Sequence, residues 1–254
     1  MKMIAFFNNK GGVGKTTSAI NVAYGLAKQG SKVLVVDCDG QGNISRFFSD
    51  KKPMLFVEDC FENSAVSPVN AKAKTRYDNI DIVVSSEKMN DSLISFEKFP
   101  KETRLEICNK FRTEWGKPWY VGTKYDYIII DFPPTLNTLT KTMLSVCDIV
   151  FVPIELSSFA IQGVPKVTEV ITNCGCKFGG CFVTKFDRDC PADHQMLELL
   201  RSNLGEKLLH TIIPSSKVIK NSLSYRLVAA EYMEWTAAAE QYQRLSDEIM
   251  AASK

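Results

Sequence analysis

Asn9-Lys10-Gly11-Gly12-Val13-Gly14-Lys15-Thr16-Thr17 follows directly on the apolar run Ile4 to Phe7, and that junction decides the fold. The run reads as a strand ending at Phe7 or Asn8. The glycines let the backbone close around an anion, and a helix is predicted from about Thr16. A strand, a glycine turn and a helix start in this order aim several N–H groups at phosphate oxygens. Gly11, Gly12, Val13, Gly14 and Thr17 belong to that cradle, Lys15 reaches the β- and γ-phosphates, and Thr16 brings the hydroxyl expected on Mg²⁺. The stretch is a compact form of the G-x-x-x-x-G-K-[ST] loop, with Lys10 at its usually neutral start. Nucleotide hydrolysis is therefore the leading reading; a plain glycine-rich turn would not call for Lys-Thr at the helix start.

Apolar runs with the look of buried parallel strands recur at Met3 to Asn8, Lys32 to Asp37, Ile80 to Val84, Tyr127 to Asp131, Ile149 to Pro153 and Gly180 to Thr184. Helices are predicted between them at Thr17 to Lys28, Leu136 to Cys147 and Gln162 to Asn173. The alternation specifies an α/β fold, a doubly wound, mostly parallel sheet flanked by helices. Ser85 to Lys124, broken at Phe99-Pro100, Gly116-Lys117-Pro118 and Gly122, reads as a helical excursion with loops. In such sheets ligands sit beyond the carboxyl ends of the strands. Those ends carry Asp37-Cys38-Asp39, Asp131-Phe132-Pro133-Pro134 and Val152-Pro153-Ile154-Glu155. Asp37, Asp39 and Asp131 are thus expected to converge on one Mg²⁺-phosphate site, with Asp131 as the carboxylate that holds the metal through water.

The 254 residues, 45% hydrophobic, suffice for one large core, so residues 1–254 read as a single domain. With 31 basic and 29 acidic residues, the global charge selects no partner, and only local clustering can. The apolar run near the N-terminus is too short for a signal peptide or a membrane span, which makes a cytoplasmic protein the expectation. Cys38 and Cys147 lie inside apolar runs, as reduced thiols of a reducing compartment do. Cys174, Cys176, Cys181, Cys190 and His194 match no standard metal spacing and read as strand and loop residues.

Four segments carry a resemblance over nearly the whole chain: Lys10 to Thr17, Val35-Val36-Asp37-Cys38-Asp39-Gly40-Gln41-Gly42-Asn43, Tyr127 through Asp131-Phe132-Pro133-Pro134-Thr135-Leu136, and Val152-Pro153. Weaker echoes are Thr184-Lys185-Phe186-Asp187 and Ile212-Ile213-Pro214-Ser215. On these the chain resembles the ParA/MinD family of deviant Walker ATPases, and most the small Soj-type ParA partition proteins. The resemblance implies a slow ATPase using ATP and Mg²⁺, with Lys10, Lys15 and Asp39 as its catalytic residues. It makes Lys10 the signature lysine that crosses to the partner's nucleotide in an ATP-bound homodimer. Asp39 would orient the attacking water, Asp37 would support the Mg²⁺ shell, and Asp187 and Pro214 would lie against the nucleotide. Gly40 stands where the family usually has proline, so a looser turn is expected at Asp39.

Similar partition ATPases bind DNA without sequence preference through basic residues late in the chain. Here Lys207 to Arg226 contains Lys207, Lys217, Lys220 and Arg226 and no acidic residue. Lys217, Lys220 and Arg226, with Arg188 nearby, form the expected DNA-binding set, since Ser215 replaces the family's arginine after the Ile-Pro pair. The phosphate loop begins at residue 9, so no helix-turn-helix extension and no site-specific operator binding are expected. The implied partners are nonspecific duplex DNA, hence nucleoid association, and a ParB-like centromere-binding or cargo adaptor that stimulates hydrolysis.

The alternative is a MinD-like or cargo-positioning ATPase acting on a membrane or a protein. Thr236 to Ala252 argues against the membrane: its apolar stripe of Ala238, Tyr242, Leu245, Ile249 and Ala252 is backed by a net acidic face, which suits core packing. Plasmid, chromosome origin, mobile element and protein compartment all stay open as cargo. Replacing Lys15 by alanine removes the main cation on the β- and γ-phosphates, and ATP binding followed by equilibrium dialysis is expected to be lost. Affinity equal to that of the parent would sink the phosphate-loop assignment.

Overall fold

A strand buried on both faces must be apolar at every position, and the central strands meet that demand by sending alternate residues to two separate cores. Met3 and Ala5 with Leu34, Val36, Ile128 and Ile130 enter one core; Ile4 and Phe6 with Val33, Val35 and Ile129 enter the other. The architecture comes from a computed structural model, which describes residues 1–50, 53–118, 120–157 and 160–254.

In chain order the first half comprises β1 (Lys2–Phe6), α1 (Lys15–Lys28), β2 (Val33–Asp37), α2 (Asn43–Phe48), α3 (Val57–Glu62), α4 (Pro68–Ala71), β3 (Lys72–Lys74), β4 (Ile80–Val83), α5 (Met89–Lys98) and α6 (Lys101–Thr113). The second half comprises β5 (Tyr127–Asp131), α7 (Thr138–Val146), β6 (Ile149–Glu155), α8 (Ala160–Asn173), β7 (Lys177–Phe186), α9 (Pro191–Leu204), β8 (Leu208–Pro214), α10 (Lys217–Ser224), α11 (Ala229–Tyr232) and α12 (Ala237–Ala252). The strands form one eight-stranded sheet in the order β3-β4-β2-β5-β1-β6-β7-β8, parallel throughout except for the β3–β4 pair. The doubly wound, mostly parallel sheet read from the sequence is therefore the fold.

Two strands were not legible in the sequence. β3 is three residues long, Lys72-Ala73-Lys74, and is too polar to signal burial. β8 alternates buried and less buried residues because it is the last strand of the sheet, so its hydrophobic pattern is diluted by His210 and Thr211. Its seven residues put Lys207 at the opposite end from Lys217, roughly 20 Å away at about 3.3 Å per residue. Lys207 is thereby separated from the basic cluster with which the sequence grouped it. The Ser85 to Lys124 excursion contains α5, α6 and a 3-10 turn at Glu114–Gly116.

The helix at the C-terminal end confirms the core-packing reading. Thr236 caps α12 by accepting the Ala239 N–H, and Ala238, Tyr242, Leu245 and Ile249 are buried, the last three in the same core as α1. Among the described residues no helix is long and apolar enough to cross a membrane. All eight cysteines are free; six are buried, and Cys174 and Cys190 are half-buried. No cluster of three or more His, Cys, Asp or Glu side chains poised for a metal occurs among the described residues.

The α1–α12 contact is tight. A Cβ added at Gly25 would stand 2.9 Å from the Cβ of buried Ser246 and closer still to its hydroxyl. Gly25→Ala is therefore expected to destabilise the protein by about 1–3 kcal/mol, as overpacking does. Ser246→Gly in the same chain should recover part of that stability, against a helix cost of about 1 kcal/mol. Denaturant titration of both variants is the check, and a Gly25→Ala protein as stable as the parent would refute the contact.

Candidate nucleotide site

The site grows from register. β1 runs between β5 and β6, and β5 runs between β1 and β2, so Phe6, Asp131 and Asp37 are aligned across three neighbouring strands. The chain leaves β1 into the glycine loop, where Gly12 (φ 74°) and Gly14 (φ 89°) occupy left-handed backbone that a side chain would strain. Gly14 is also the N-cap of α1 and has no side chain to cover the helix's first N–H groups, leaving that cap to a ligand.

The loop is pinned on several sides. Asn8 Nδ2 donates to the Pro153 carbonyl (2.8 Å), and the Lys10 N–H donates to Asn8 Oδ1 (3.0 Å). Thr184 Oγ1 donates to the Val13 carbonyl (2.9 Å), tying the loop to β7. Lys15 folds across the loop, its Nζ donating to the carbonyls of Asn8 (3.1 Å) and Lys10 (3.2 Å). Burial pulls its pKa below the ordinary lysine value, opposed by the charges of Asp131 and Asp39. The loop thus holds a desolvated cation against backbone carbonyls, a partner that phosphate oxygens can replace with stronger charge-assisted bonds.

Two of the three expected carboxylates, Asp131 and Asp39, act on this cation, while Asp37 stands beside Asp131. Thr16 Oγ1 donates to Asp131 Oδ2 (2.7 Å), while Asp131 Oδ1 is buried with no hydrogen-bond partner. Burial drives the Asp131 pKa well up, and the nearby Asp37 charge adds to it. Asp37 accepts from Ser45 Oγ (2.6 Å), the Ser45 N–H (3.1 Å) and the Asp39 N–H (2.9 Å). Burial raises its pKa to about 6 despite those bonds. An orphaned carboxylate oxygen, a hydroxyl already on that carboxylate and a second buried acid fit a hydrated divalent cation. Mg²⁺ takes few protein ligands and keeps most of its water, so Thr16, Asp37 and Asp131 suffice for a site without a dense cluster.

The turn after β2 is not loose. Gln41 N–H donates to Asp39 Oδ1 (2.9 Å), Gly42 N–H to the Asp39 carbonyl (2.8 Å) and Ser85 Oγ to that same carbonyl (2.6 Å). A Cβ at Gly40 would lie 3.1 Å from Met89 Cβ, so packing against α5 and these bonds replace the stiffness of a proline. Ser45 and Ser85 went unnoticed in the sequence. They lie in α2 and beyond β4, and nothing in their spacing reports that both face the β2 turn.

A pocket of about 440 Å³ adjoins the loop, lined by Gly14, Thr17, Thr184, Pro214, Lys217 and Lys220 among others. Pro214 therefore stands in the wall of a pocket next to the phosphate loop. Asp187 is outside that lining; its carboxylate accepts the Asp189 N–H (3.0 Å) in an exposed turn. Lys10 carries an exposed side chain 3.5 Å from Glu155, whose other oxygen lies 3.5 Å from Lys185. Arg226 is engaged: its guanidinium reaches Asp50 (2.8 Å) and the Ser49 carbonyl (2.9 Å). Arg188 lines a separate depression with Phe186, His210, Ile212 and Arg244, on the other side of Pro214.

Glycine loop, buried lysine and converging acids on a parallel sheet define the class, a P-loop nucleotide-binding protein. An AAA-domain family profile matches residues 1–177. The chromosome-partitioning ATPase Soj of Treponema pallidum is 31% identical over 98% of this chain and 97% of its own. Among solved structures, a cobyrinic acid a,c-diamide synthase of Mycobacterium smegmatis with bound ATP analogue and magnesium superposes with a TM-score of 0.79 at 21% identity, over 98% of this chain and 94% of that one. An ATP complex of Cyanothece McdA superposes with a TM-score of 0.80 at 18% identity, over 99% and 96%. The chain belongs to the ParA/MinD family of P-loop ATPases, within its Soj/ParA branch. It is an ATPase by that membership, with ATP as its substrate.

With pKa values raised by burial, Asp37 and Asp131 are expected to make stabilisation by Mg²⁺ and ATP depend on pH. Asp37's folded pKa, about 6, lies above its unfolded value of about 4. Its contribution to stability is thus complete below about pH 4 and is lost as the pH rises through about 6. Mg²⁺ with ATP offsets that loss, so the rise in melting temperature on adding both should be larger at about pH 8 than at about pH 5. Equal shifts at the two pH values would mean that these carboxylates are already ionised without the metal.

Proposed function

We propose that this chain is a DNA partition ATPase whose ATP-bound homodimer binds duplex DNA without sequence preference and releases it after hydrolysis stimulated by a ParB-like adaptor. The observation that carries the reading is a shared wall. Lys217 and Lys220, from the first turn of α10, line the same pocket as Gly14 and Thr17 of the phosphate loop. Nucleotide in that pocket would set the position of α10, and with it the basic surface offered to DNA. Ser216 caps α10 by accepting the Val218 N–H (3.1 Å), which anchors this turn to the end of β8.

The division of labour follows from the same geometry. Phosphoryl transfer needs positioning and charge neutralisation more than covalent help from the protein. Lys15 would hold the β- and γ-phosphate oxygens, and Thr16, Asp37 and Asp131 would hold the metal. Mg²⁺ when bound supplies charge neutralisation on the phosphates. Asp39 would orient the water, its turn held rigid by Ser85 and Gln41. Lys10 contributes its carbonyl to the loop and leaves its ammonium half exposed beside Glu155, which supports a role for that ammonium outside its own subunit's loop. Dimerisation would double the basic surface, and two linked surfaces multiply affinity through effective concentration.

Lys10→Ala is expected to bind ATP but neither dimerise nor hold DNA, as read by light scattering and by mobility shift on two unrelated duplexes. The parent's DNA affinity should fall steeply with salt, and Lys217→Glu with Lys220→Glu should flatten that slope by about 0.9 for each phosphate that is no longer neutralised. ATP binding is measured in parallel because these lysines also line the nucleotide pocket. Salt-insensitive binding, preference for one duplex, or a Lys10→Ala protein that still dimerises would each defeat the proposal. Absence of DNA binding by the ATP-bound parent would favour a protein or membrane partner.

A further inference from the structure

A trough of about 760 Å³ crosses the helical face opposite α1, and it shares no lining residue with the nucleotide pocket. α7 is its floor. Thr138, Thr142 and Ser145 recur there at helical spacing, and the last two hydroxyls fold back onto their own helix, donating to the Thr138 and Thr142 carbonyls (2.8 and 2.7 Å). Small side chains turned inward keep the floor low and spend its polar groups locally. α6 forms one wall with Lys101, Arg104 and Leu105, and the C-terminal turn of α8 forms the other with Val170.

The lining is one-sided in charge. Lys101, Arg104 and Lys141 line the trough and no acidic residue does, in a chain whose net charge is only +2. Lys101 and Lys141 are exposed and have no ion-pair partner among the described residues. Arg104 donates through Nη1 to the Glu97 carbonyl (3.2 Å), yet its Nε is buried with no hydrogen-bond partner. Of the acids close by in the chain, Glu102, Glu106 and Glu169 adjoin lining residues without lining the trough, and Glu97 accepts the Thr138 hydroxyl (2.8 Å). Between the cations lies an aliphatic stripe of Leu105, Leu136 and Val170, with Leu105 39% exposed.

We propose that this trough docks an acidic amphipathic segment of a partner protein, its carboxylates on Lys101, Arg104 and Lys141 and its apolar side chains on the Leu105–Leu136–Val170 stripe. This is the helix-in-groove mode, in which apolar anchors give affinity and flanking charges give orientation. A nucleic-acid backbone would use the cations but leave the aliphatic stripe against water, so the protein segment is the better match. The inference does not depend on DNA binding or on which cargo the ATPase moves.

The test uses the full chain and two synthetic peptides, one alternating Leu and Glu faces at helical spacing and one with Lys in place of Glu. Cys174 lines the trough and is half-buried, while Cys190, also half-buried, lies before α9 and serves as the reference thiol. Maleimide labelling of each is followed by mass spectrometry. At a concentration ten times its Kd the Leu/Glu peptide should slow labelling of Cys174 about tenfold and leave Cys190 unchanged, as simple occupancy requires. The Leu/Lys peptide should not protect, and Lys101→Glu with Lys141→Glu, both surface changes, should abolish protection by the acidic peptide. The proposal is overturned if Cys174 is not selectively protected, if both peptides protect alike, or if duplex DNA protects it and the acidic peptide does not.

Discussion

Two carboxylates buried side by side at the carboxyl ends of adjacent parallel strands are the constraint on which this molecule turns. Asp37 and Asp131 are register partners on β2 and β5, both fully enclosed, and neither can ionise there without compensation. Desolvation raises both pKa values, and the repulsion of neighbouring carboxylates adds to it. Ser45 and the Asp39 backbone relieve Asp37, Thr16 relieves one oxygen of Asp131, and the remaining oxygen is buried with no hydrogen-bond partner. The fold accepts this cost because the same strands are otherwise solid hydrocarbon, with Val33 to Val36 and Ile128 to Ile130 all buried.

The loop opposite those acids is built with the same economy. Every one of its cross-strand restraints comes from a different strand: Pro153 on β6 holds Asn8, Thr184 on β7 holds Val13, and Asp131 on β5 holds Thr16. The loop is therefore tied to three strands at once. β7 leads to Lys185 and β8 to Pro214 and α10, so the wall of the nucleotide pocket continues into the basic helix. Lys10 and Lys185 share Glu155 as a counter-ion at the outer edge of this wall. At 3.5 Å and partial exposure these pairs are weak, and a stronger anion can displace either lysine.

The opposite face of the molecule has a different character. α5, α6, α7 and α8 cover the core that contains Phe61, Phe96, Phe111 and Trp115, whose aromatic packing consolidates the segment that looked least regular in the sequence. Proline and glycine breaks there mark the ends of real helices and do not signal absence of structure.

The alternation of apolar runs with amphipathic stretches was enough to establish the doubly wound sheet, and the glycine loop after β1 was enough to establish where it binds phosphate. Both signals are local: a strand buried on two faces has no polar alternative, and a loop that wraps phosphate needs glycine where φ is positive, as at Gly12 and Gly14. What lay beyond sequence was everything set by distance across the sheet. The sequence grouped Lys207 with Lys217, and β8 separates them; it set Arg226 in a free basic patch, and Asp50 claims its guanidinium. It read a loose turn at Gly40, and Ser85 and Met89 from other elements hold that turn. Hydrogen bonds and ion pairs between residues tens of positions apart leave no periodicity in the chain, so only the packed tertiary structure decides them.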